Sequence, residues 1–132
     1  MALQLSDSVR NAMLDAYEST IGTSPKLRLS SGAAPANCAA ADSGTLGAEL
    51  TLPSDFMAAA SGGSKAKSGS WTGTGVAAIT IGHFRKKDSG GTTVHAQGTC
   101  GIGAGDLQFD NTSLAIGQSV TINTYTLTAG NA

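Results

Sequence analysis

The sequence has few charged residues, and this scarcity already excludes several kinds of protein. Charged residues make up 13% of the 132-residue chain, and the formal net charge is −1. Nucleic-acid binding is not expected, because phosphate contacts require a basic excess. No segment approaches the run of about 20 apolar residues that a membrane span requires. The N-terminus also lacks the basic and apolar regions of a signal peptide, so we expect synthesis in the cytoplasm.

Cysteine is also scarce, with only Cys38 and Cys100. The two show no CxxC spacing and have no nearby pair of histidines, so the sequence predicts no zinc site. A disulfide is rare in a reducing compartment. We therefore expect two free thiols that are buried or half-buried.

Large apolar side chains are few, and small residues take their place. Leu, Ile, Val and Phe together number 24, whereas Ala, Gly, Ser and Thr number 69. Because the net charge is near zero, this composition favours a β protein rich in small residues and turns over a disordered chain. One domain, residues 1–132, is the natural size. Its core should be thin, so we expect support from self-association or from a partner surface.

Residues 1–22 are predicted to form an N-terminal arm and helix. The helix covers residues 5–18, is capped by Ser6 or Asp7 and ends at Gly22. Its apolar residues recur at helical spacing in one stripe, formed by Leu5, Val9, Ala12, Met13, Ala16 and Tyr17. Such a stripe covers one end of its own domain or packs on a partner. The candidate interface residues of this stripe are Leu5, Val9, Met13 and Tyr17.

Residues 26–128 are predicted to be strands and loops. Alternation of apolar and polar residues marks the strands, which are 26–30, 45–52, 75–86, 92–99, 107–109 and 119–128. The turn Asp88-Ser89-Gly90-Gly91 joins two of them in a hairpin. The small polar residues of 58–70 are typical of a flexible connection. The sequence thus predicts a mainly β fold, an antiparallel β-sandwich or jelly roll with one N-terminal α-helix.

No constellation of residues points to catalysis or to a cofactor, and we predict that the chain is not an enzyme. In residues 101–106 (GIGAGD), Asp106 stands where a dinucleotide-binding loop needs its third glycine, and no helix is predicted to follow. His83 and His95 could face each other across the hairpin, but two imidazoles without a third ligand make a weak metal site. The acidic residues are scattered, and no pair is placed for acid–base work.

The basic residues Arg85, Lys86 and Lys87, together with Lys65 and Lys67, form the one basic cluster. Such a cluster is a solvated end of the hairpin, or it docks electrostatically onto an acidic protein surface in a salt-sensitive way. We include Arg85, Lys86 and Lys87 among the candidate interface residues.

Eight short segments, taken in order, carry a resemblance to a known group of proteins. They are 5–14 (LSDSVRNAML), 27–36 (LRLSSGAAPA), 44–48 (GTLGA), 67–77 (KSGSWTGTGVA), 82–85 (GHFR), 106–107 (DL), 111–113 (NTS) and 117–122 (GQSVTI). In this order they resemble small β-rich virion proteins of tailed bacteriophages, of the capsid decoration (cement) type.

The resemblance implies a virion protein on the capsid surface, made in the host cytoplasm. A decoration protein binds the outer capsid surface and stabilises the head through multivalent contacts, with the major capsid protein as its partner. A local threefold axis suggests a homo-trimer. Segments 1–18, 58–70 and 128–132 are the candidates for reaching across subunits. The resemblance brings no catalytic residues with it.

Two alternatives remain open. The protein is a tail tube, fibre or baseplate module of the same kind of particle, or it is a receptor- or glycan-binding β-sandwich. In the second case Trp71 and Tyr125 supply rings that stack on sugars, although a single Trp in a strand-rich chain is more often part of the core.

Overall fold

The computed structural model describes residues 3–101, 107–109 and 112–129. Within these ranges the chain forms one helix and nine strands. The helix is α1 (Asp7–Ile21), and the strands are β1 (Lys26–Ser31), β2 (Leu46–Thr51), β3 (Ser64–Ala66), β4 (Thr72–Thr74), β5 (Ile79–Lys87), β6 (Val94–Gly101), β7 (Leu107–Phe109), β8 (Ser113–Leu114) and β9 (Ser119–Thr128).

Helix α1 begins and ends close to the predicted positions. Ser6 is its N-cap, and the Ser6 hydroxyl accepts a hydrogen bond from the Val9 amide at 3.3 Å. At the other end, Gly22 has a φ of 87° and its amide donates to the Glu18 carbonyl at 3.0 Å. Glycine adopts positive φ without a steric cost, so it terminates the helix and turns the chain toward β1.

The strands form a single curled sheet. Its order is β2-β1-β5-β6-β7-β9-β3, with β4 paired to β9 and β8 paired to β5. Neighbouring described strands are antiparallel except β6 and β7, which are parallel. The curl brings the end of β4 beside β2, where the Val76 amide donates to the Gly47 carbonyl at 2.7 Å. The predicted mainly β fold with one N-terminal helix is therefore confirmed.

The predicted hairpin is also confirmed and joins β5 to β6. His83 pairs with Thr99 near one end of the ladder and Lys87 with Val94 near the other. In the turn, the Asp88 carboxylate accepts from the Thr92 amide at 2.9 Å. Hydrogen bonds from the Thr92 and Thr93 amides hold the pKa of the Asp88 carboxyl below its usual value.

A β-bulge changes which residues of β5 face the core. Opposite β1, His83 pairs with Ser30 and Ile81 pairs with Ser31, so Gly82 is an extra residue in β5. A bulge shifts the alternation of side chains by one position. After it, Phe84 and Lys86 point into the core. A Cβ atom at position 82 would lie 2.2 Å from the Gly32 carbonyl oxygen, so only glycine fits there.

A second bulge acts in the same way in β9. Gln108 pairs with Thr124 and Phe109 with Ile122, which leaves Asn123 as the extra residue. Ile122 and Tyr125 consequently both belong to the core, although simple alternation predicts that they lie on opposite faces.

Segment 58–70 is not the flexible connection that its composition predicts. It contains β3, in which Lys65 pairs with Leu127 of β9, and Met57 forms a bridge with Lys67. The Ala58 amide donates to the Ala66 carbonyl at 2.8 Å. Backbone pairing with β9 orders this segment, and such pairing does not depend on apolar side chains that a sequence pattern would reveal.

The core is lined mainly by aromatic and leucine side chains. Trp71, Phe56, Leu27, Leu29 and Leu50 are fully buried. Cys38 and Cys100 form no disulfide with each other and are each half-buried, as predicted. No helix in the described part of the chain combines the length and apolarity needed to cross a membrane.

Candidate functional site

Helix α1 packs on the sheet with a face that differs from the predicted apolar stripe. Leu14 and Ile21 are buried, and Tyr17 is half-buried against the core. Four residues of the stripe instead face solvent and form what we call the exposed strip: Val9, Ala12, Met13 and Ala16. The helix therefore both covers its own domain and presents a second apolar face.

Polar contacts fix the first half of α1 to the sheet. The Arg10 side chain donates to the Ala129 carbonyl at 3.1 Å. The Asn11 side chain accepts from the Gly63 amide at 2.9 Å. The backbone carbonyl of Ala129 and the backbone amide of Gly63 lie beside the ends of β9 and β3, so the helix is tied to two strands at once.

Lys65 ties the second half of α1 to β3. It is buried, and its Nζ lies 2.8 Å from both the Asp15 and the Glu18 carboxylates. Burial alone lowers the pKa of Lys65, but the hydrogen bonds to the two carboxylates outweigh it and the pKa is raised. The same contact lowers the pKa of Asp15. A buried lysine with two carboxylates is charged and well paired.

Lys86 lies beneath α1 in a cage of four aromatic rings. Its Nζ is 3.9 Å from the ring centroid of Tyr125, 4.7 Å from that of Trp71 and about 5 Å from those of Phe56 and Tyr17. The side chain is fully buried, and no carboxylate in the described residues forms an ion pair with it. Burial lowers the pKa of Lys86 to about 7. Cation–π attraction compensates part of the lost hydration of the charged form.

A chain of hydrogen bonds joins this cage to the helix. The Lys86 ammonium donates to the Tyr17 hydroxyl at 3.0 Å, and the hydroxyls of Tyr17 and Tyr125 lie 2.7 Å apart. Burial and the neighbouring Tyr125 raise the pKa of Tyr17, so its hydroxyl stays protonated. Two residues of the predicted interface, Tyr17 and Lys86, thus connect α1 to the core, and the helix is held at a fixed position.

Arg85 and Lys87 point to the opposite face of β5, where loop 32–44 covers them. Arg85 donates to Asp42 at 2.7 Å, and Lys87 donates to the other oxygen of the same carboxylate at 2.7 Å. Arg85 also donates to the carbonyls of Asn37 and Cys38. The hydrogen bond from Lys87, followed by that from Arg85, lowers the pKa of Asp42.

The structure contradicts the prediction that Arg85, Lys86 and Lys87 carry exposed charges. Both interpretations of the basic cluster required exposed charges, yet all three side chains are buried, as is Lys65. Alternation along β5 places Lys86 on one face and Arg85 and Lys87 on the other. The bulge at Gly82 sets Lys86 as the one that faces the core, and each of the three finds internal partners. Their interface role would require loop 32–44 or α1 to move away.

The two histidines do not face each other. His83 pairs with Thr99, is buried and has its Nδ1 3.0 Å from the Gly32 carbonyl oxygen. His95 lies four positions before Thr99 in β6, beside Tyr17 and Ile21 of α1. Within the described ranges, no three His, Cys, Asp or Glu side chains cluster as metal ligands. Residues 102–106 of the glycine-rich segment lie outside those ranges.

The aromatic rings suggested for sugar stacking are not available for it. Trp71 is fully buried, and its indole N–H donates to the Ser68 carbonyl at 3.1 Å. Tyr125 is also buried and packs 5.4 Å from Trp71, centroid to centroid. Both rings belong to the core, and this is the more common position for a single Trp in a strand-rich chain.

Comparisons of the chain with family models, curated proteins and solved structures gave no match. The exposed strip is the part of the apolar stripe of α1 that the domain itself leaves uncovered. It consists of apolar and small side chains on a helix that polar contacts hold against the sheet, including Arg10–Ala129, Asn11–Gly63, Lys65–Asp15, Lys65–Glu18, Lys86–Tyr17 and Tyr17–Tyr125.

Proposed function

We propose that this protein is a bacteriophage capsid decoration (cement) protein. It binds the outer capsid surface, with the major capsid protein as partner, and acts as a homo-trimer whose several contacts stabilise the head together. The observation that carries the proposal is the exposed strip. Helix α1 presents these apolar and small side chains to solvent, while the opposite face of the helix is fixed to the sheet.

A rigid apolar surface favours an assembly role over an independent one. Val9 is 47% exposed and Met13 is 53% exposed. Leaving such side chains in water forfeits the free energy that their burial would contribute, about 25 cal/mol per Å² of apolar surface. Because α1 is already ordered, covering the strip costs little conformational entropy.

Multivalency explains how modest contacts hold such a protein on a shell. Once one protomer of an oligomer is bound, the others meet their sites at a high effective concentration, so avidity exceeds the affinity of a single contact. In this proposal, the exposed strip makes the contact between neighbouring chains on which that multivalency depends.

The test uses phage particles that lack the protein, with purified protein added back. The double variant Val9→Asp/Met13→Asp places two carboxylates in the exposed strip without touching the buried face of α1. We expect wild-type protein to add density at symmetric positions on the outer shell in cryo-EM maps, and the variant to lose about tenfold or more in occupancy, because a desolvated charge is costly.

The matched control is Thr121→Asp/Thr126→Asp, which adds the same charge at two exposed positions of β9. It should occupy the shell like the wild-type protein, and circular dichroism should show all three proteins folded. Density in the tail instead of on the shell would assign the protein to the tail module, and undiminished decoration by the strip variant would overturn the role of α1.

A further inference from the structure

A second apolar surface lies in two loops that we call the distal loops, residues 75–78 and 115–118. Val76 is 59% exposed and Ile116 is 75% exposed. Apart from Leu3, Val9 and Met13 near α1, these are the exposed large apolar side chains of the described residues. The molecule therefore has two apolar surfaces rather than scattered single residues.

The distal loops are bonded to each other and to the sheet. The Gly75 amide donates to the Gln118 carbonyl and the Gly117 amide to the Gly75 carbonyl, both at 2.8 Å. The Val76 amide donates to Gly47 of β2 at 2.7 Å. Val76 and Ile116 are thus presented on a fixed backbone, as the exposed strip is.

The two surfaces lie at opposite ends of β5. At one end, Ile79 pairs with Leu114, next to the distal loops. At the other end, Lys86 contacts Tyr17 of α1. The seven residue steps from Ile79 to Lys86 span about 23 Å at the usual strand rise. One chain therefore cannot cover its own exposed strip with its own distal loops.

The exposed strip and the distal loops both consist of uncharged side chains. Helix α1 carries three carboxylates, Asp7, Asp15 and Glu18, and one cation, Arg10. None of these charges lies in the exposed strip, because Asp15 and Glu18 pair with Lys65 and Asp7 pairs with Arg10. Segments 68–82 and 112–129, which contain the distal loops, have no charged residue. Covering the strip with distal loops desolvates no charge on the loop side.

We propose that copies of this chain associate head to tail, with the exposed strip of one copy packed on the distal loops of the next. Such a contact is heterologous, so repetition closes into a ring when the rotation allows it. Each copy then uses both of its apolar surfaces, whereas helix-to-helix pairing would leave Val76 and Ile116 exposed. This head-to-tail contact rests on the proposed function in one respect: it specifies which surface of the neighbouring chain the exposed strip contacts in the proposed oligomer.

The test is cysteine cross-linking of purified full-length protein. Cys38 and Cys100 are first replaced by alanine, and circular dichroism checks the fold. One sample then carries Met13→Cys and a second, of different mass, carries Ile116→Cys. We expect the mixture to give a mixed cross-linked dimer about tenfold or more above either sample alone, because a complex raises the effective concentration of the paired thiols.

A protein with both Met13→Cys and Ile116→Cys should form a ladder that ends in one closed species. Thr121→Cys mixed with Met13→Cys is the matched control and should give only background. Efficient self-cross-linking of Met13→Cys would show α1-to-α1 pairing and overturn the proposal, as would a mixed product no stronger than the control.

The cross-linking and the particle experiment fail independently. Shell decoration without the mixed cross-link would retain the decoration function and exclude the head-to-tail contact. The mixed cross-link without shell density would retain the contact and exclude the decoration function.

Discussion

At the scale of single residues, Lys86 is the most unusual feature of this protein. Its side chain occupies a core position created by the bulge at Gly82, and aromatic rings with one hydroxyl take the place of water around it. Taking an ammonium group out of water is costly unless it is paired. The neutral amine avoids this cost, which is why burial lowers the pKa of Lys86 to about 7.

This shift predicts how stability depends on pH. A lysine in the unfolded chain has a pKa of about 10.4, so between about pH 7 and pH 10 the unfolded state binds more protons at this residue than the folded state. The contribution of Lys86 to the free energy of unfolding should therefore rise with pH across this range, by at most about 1.4 kcal/mol per pH unit.

The variant Lys86→Met tests the prediction by removing the titrating group while keeping an unbranched side chain. Urea unfolding across the same pH range should show a smaller increase of stability with pH than in the wild-type protein. Lys67→Met is the control, because Lys67 donates to the Gly69 carbonyl at the surface. A Lys86→Met protein with the wild-type slope would show that Lys86 does not titrate in this range.

At the scale of elements, α1 shows how an amphipathic pattern can divide between two surfaces. In the sequence stripe Tyr17 lies at one edge, and Met13 and Val9 follow it at successive four-residue steps. Tyr17 turns toward the core because its hydroxyl finds Lys86 and Tyr125, while Val9 and Met13 remain exposed. Polar partners thus decide which part of the stripe faces inward.

Tyr17→Phe should loosen the helix without unfolding the sheet. The variant keeps the aromatic ring but removes the hydroxyl that accepts from Lys86, and leaving a buried donor unsatisfied costs about 1–3 kcal/mol. Hydrogen exchange should become faster in α1 and change little in β1 and β5. Ser19→Ala, at an exposed position of α1, should leave exchange unchanged. Equal hydrogen-exchange rates in α1 of Tyr17→Phe and of the wild-type protein would show that the Tyr17 hydroxyl does not anchor the helix.

At the scale of the whole molecule, the helix and the sheet depend on each other. Removing residues 1–22 takes away both carboxylates that pair with Lys65, one ring of the Lys86 cage and the buried Leu14 and Ile21. Loss of capsid binding by such a truncation would therefore not identify an interface. Point substitutions in the exposed strip separate binding from folding.

We expect the truncated protein to lose several kcal/mol of unfolding free energy, because Leu14 and Ile21 alone contribute about 1.5–3 kcal/mol each when fully buried. Urea denaturation, compared with Val9→Asp/Met13→Asp at the same concentration, measures this loss. The double variant should unfold near the wild-type midpoint. A truncated protein with the wild-type midpoint would mean that α1 does not stabilise the sheet.

The sequence by itself determined the elements that depend on local patterns. Ser6 and Gly22 mark the ends of α1, the Asp88 turn joins β5 to β6, and alternation marks β1, β2 and β9. These features arise from caps, turns and side-chain periods that act over a few residues. The mainly β class with one helix follows from them.

Only the tertiary structure decided where the side chains of the basic cluster lie and how segment 58–70 is ordered. One extra residue at Gly82 reverses the direction of every following side chain in β5, so Lys86 enters the core while Arg85 and Lys87 meet Asp42. Lys65 and β3 are ordered by partners more than 40 residues away in the chain. Long-range pairing supplies these contacts, and no local pattern of residue types encodes it.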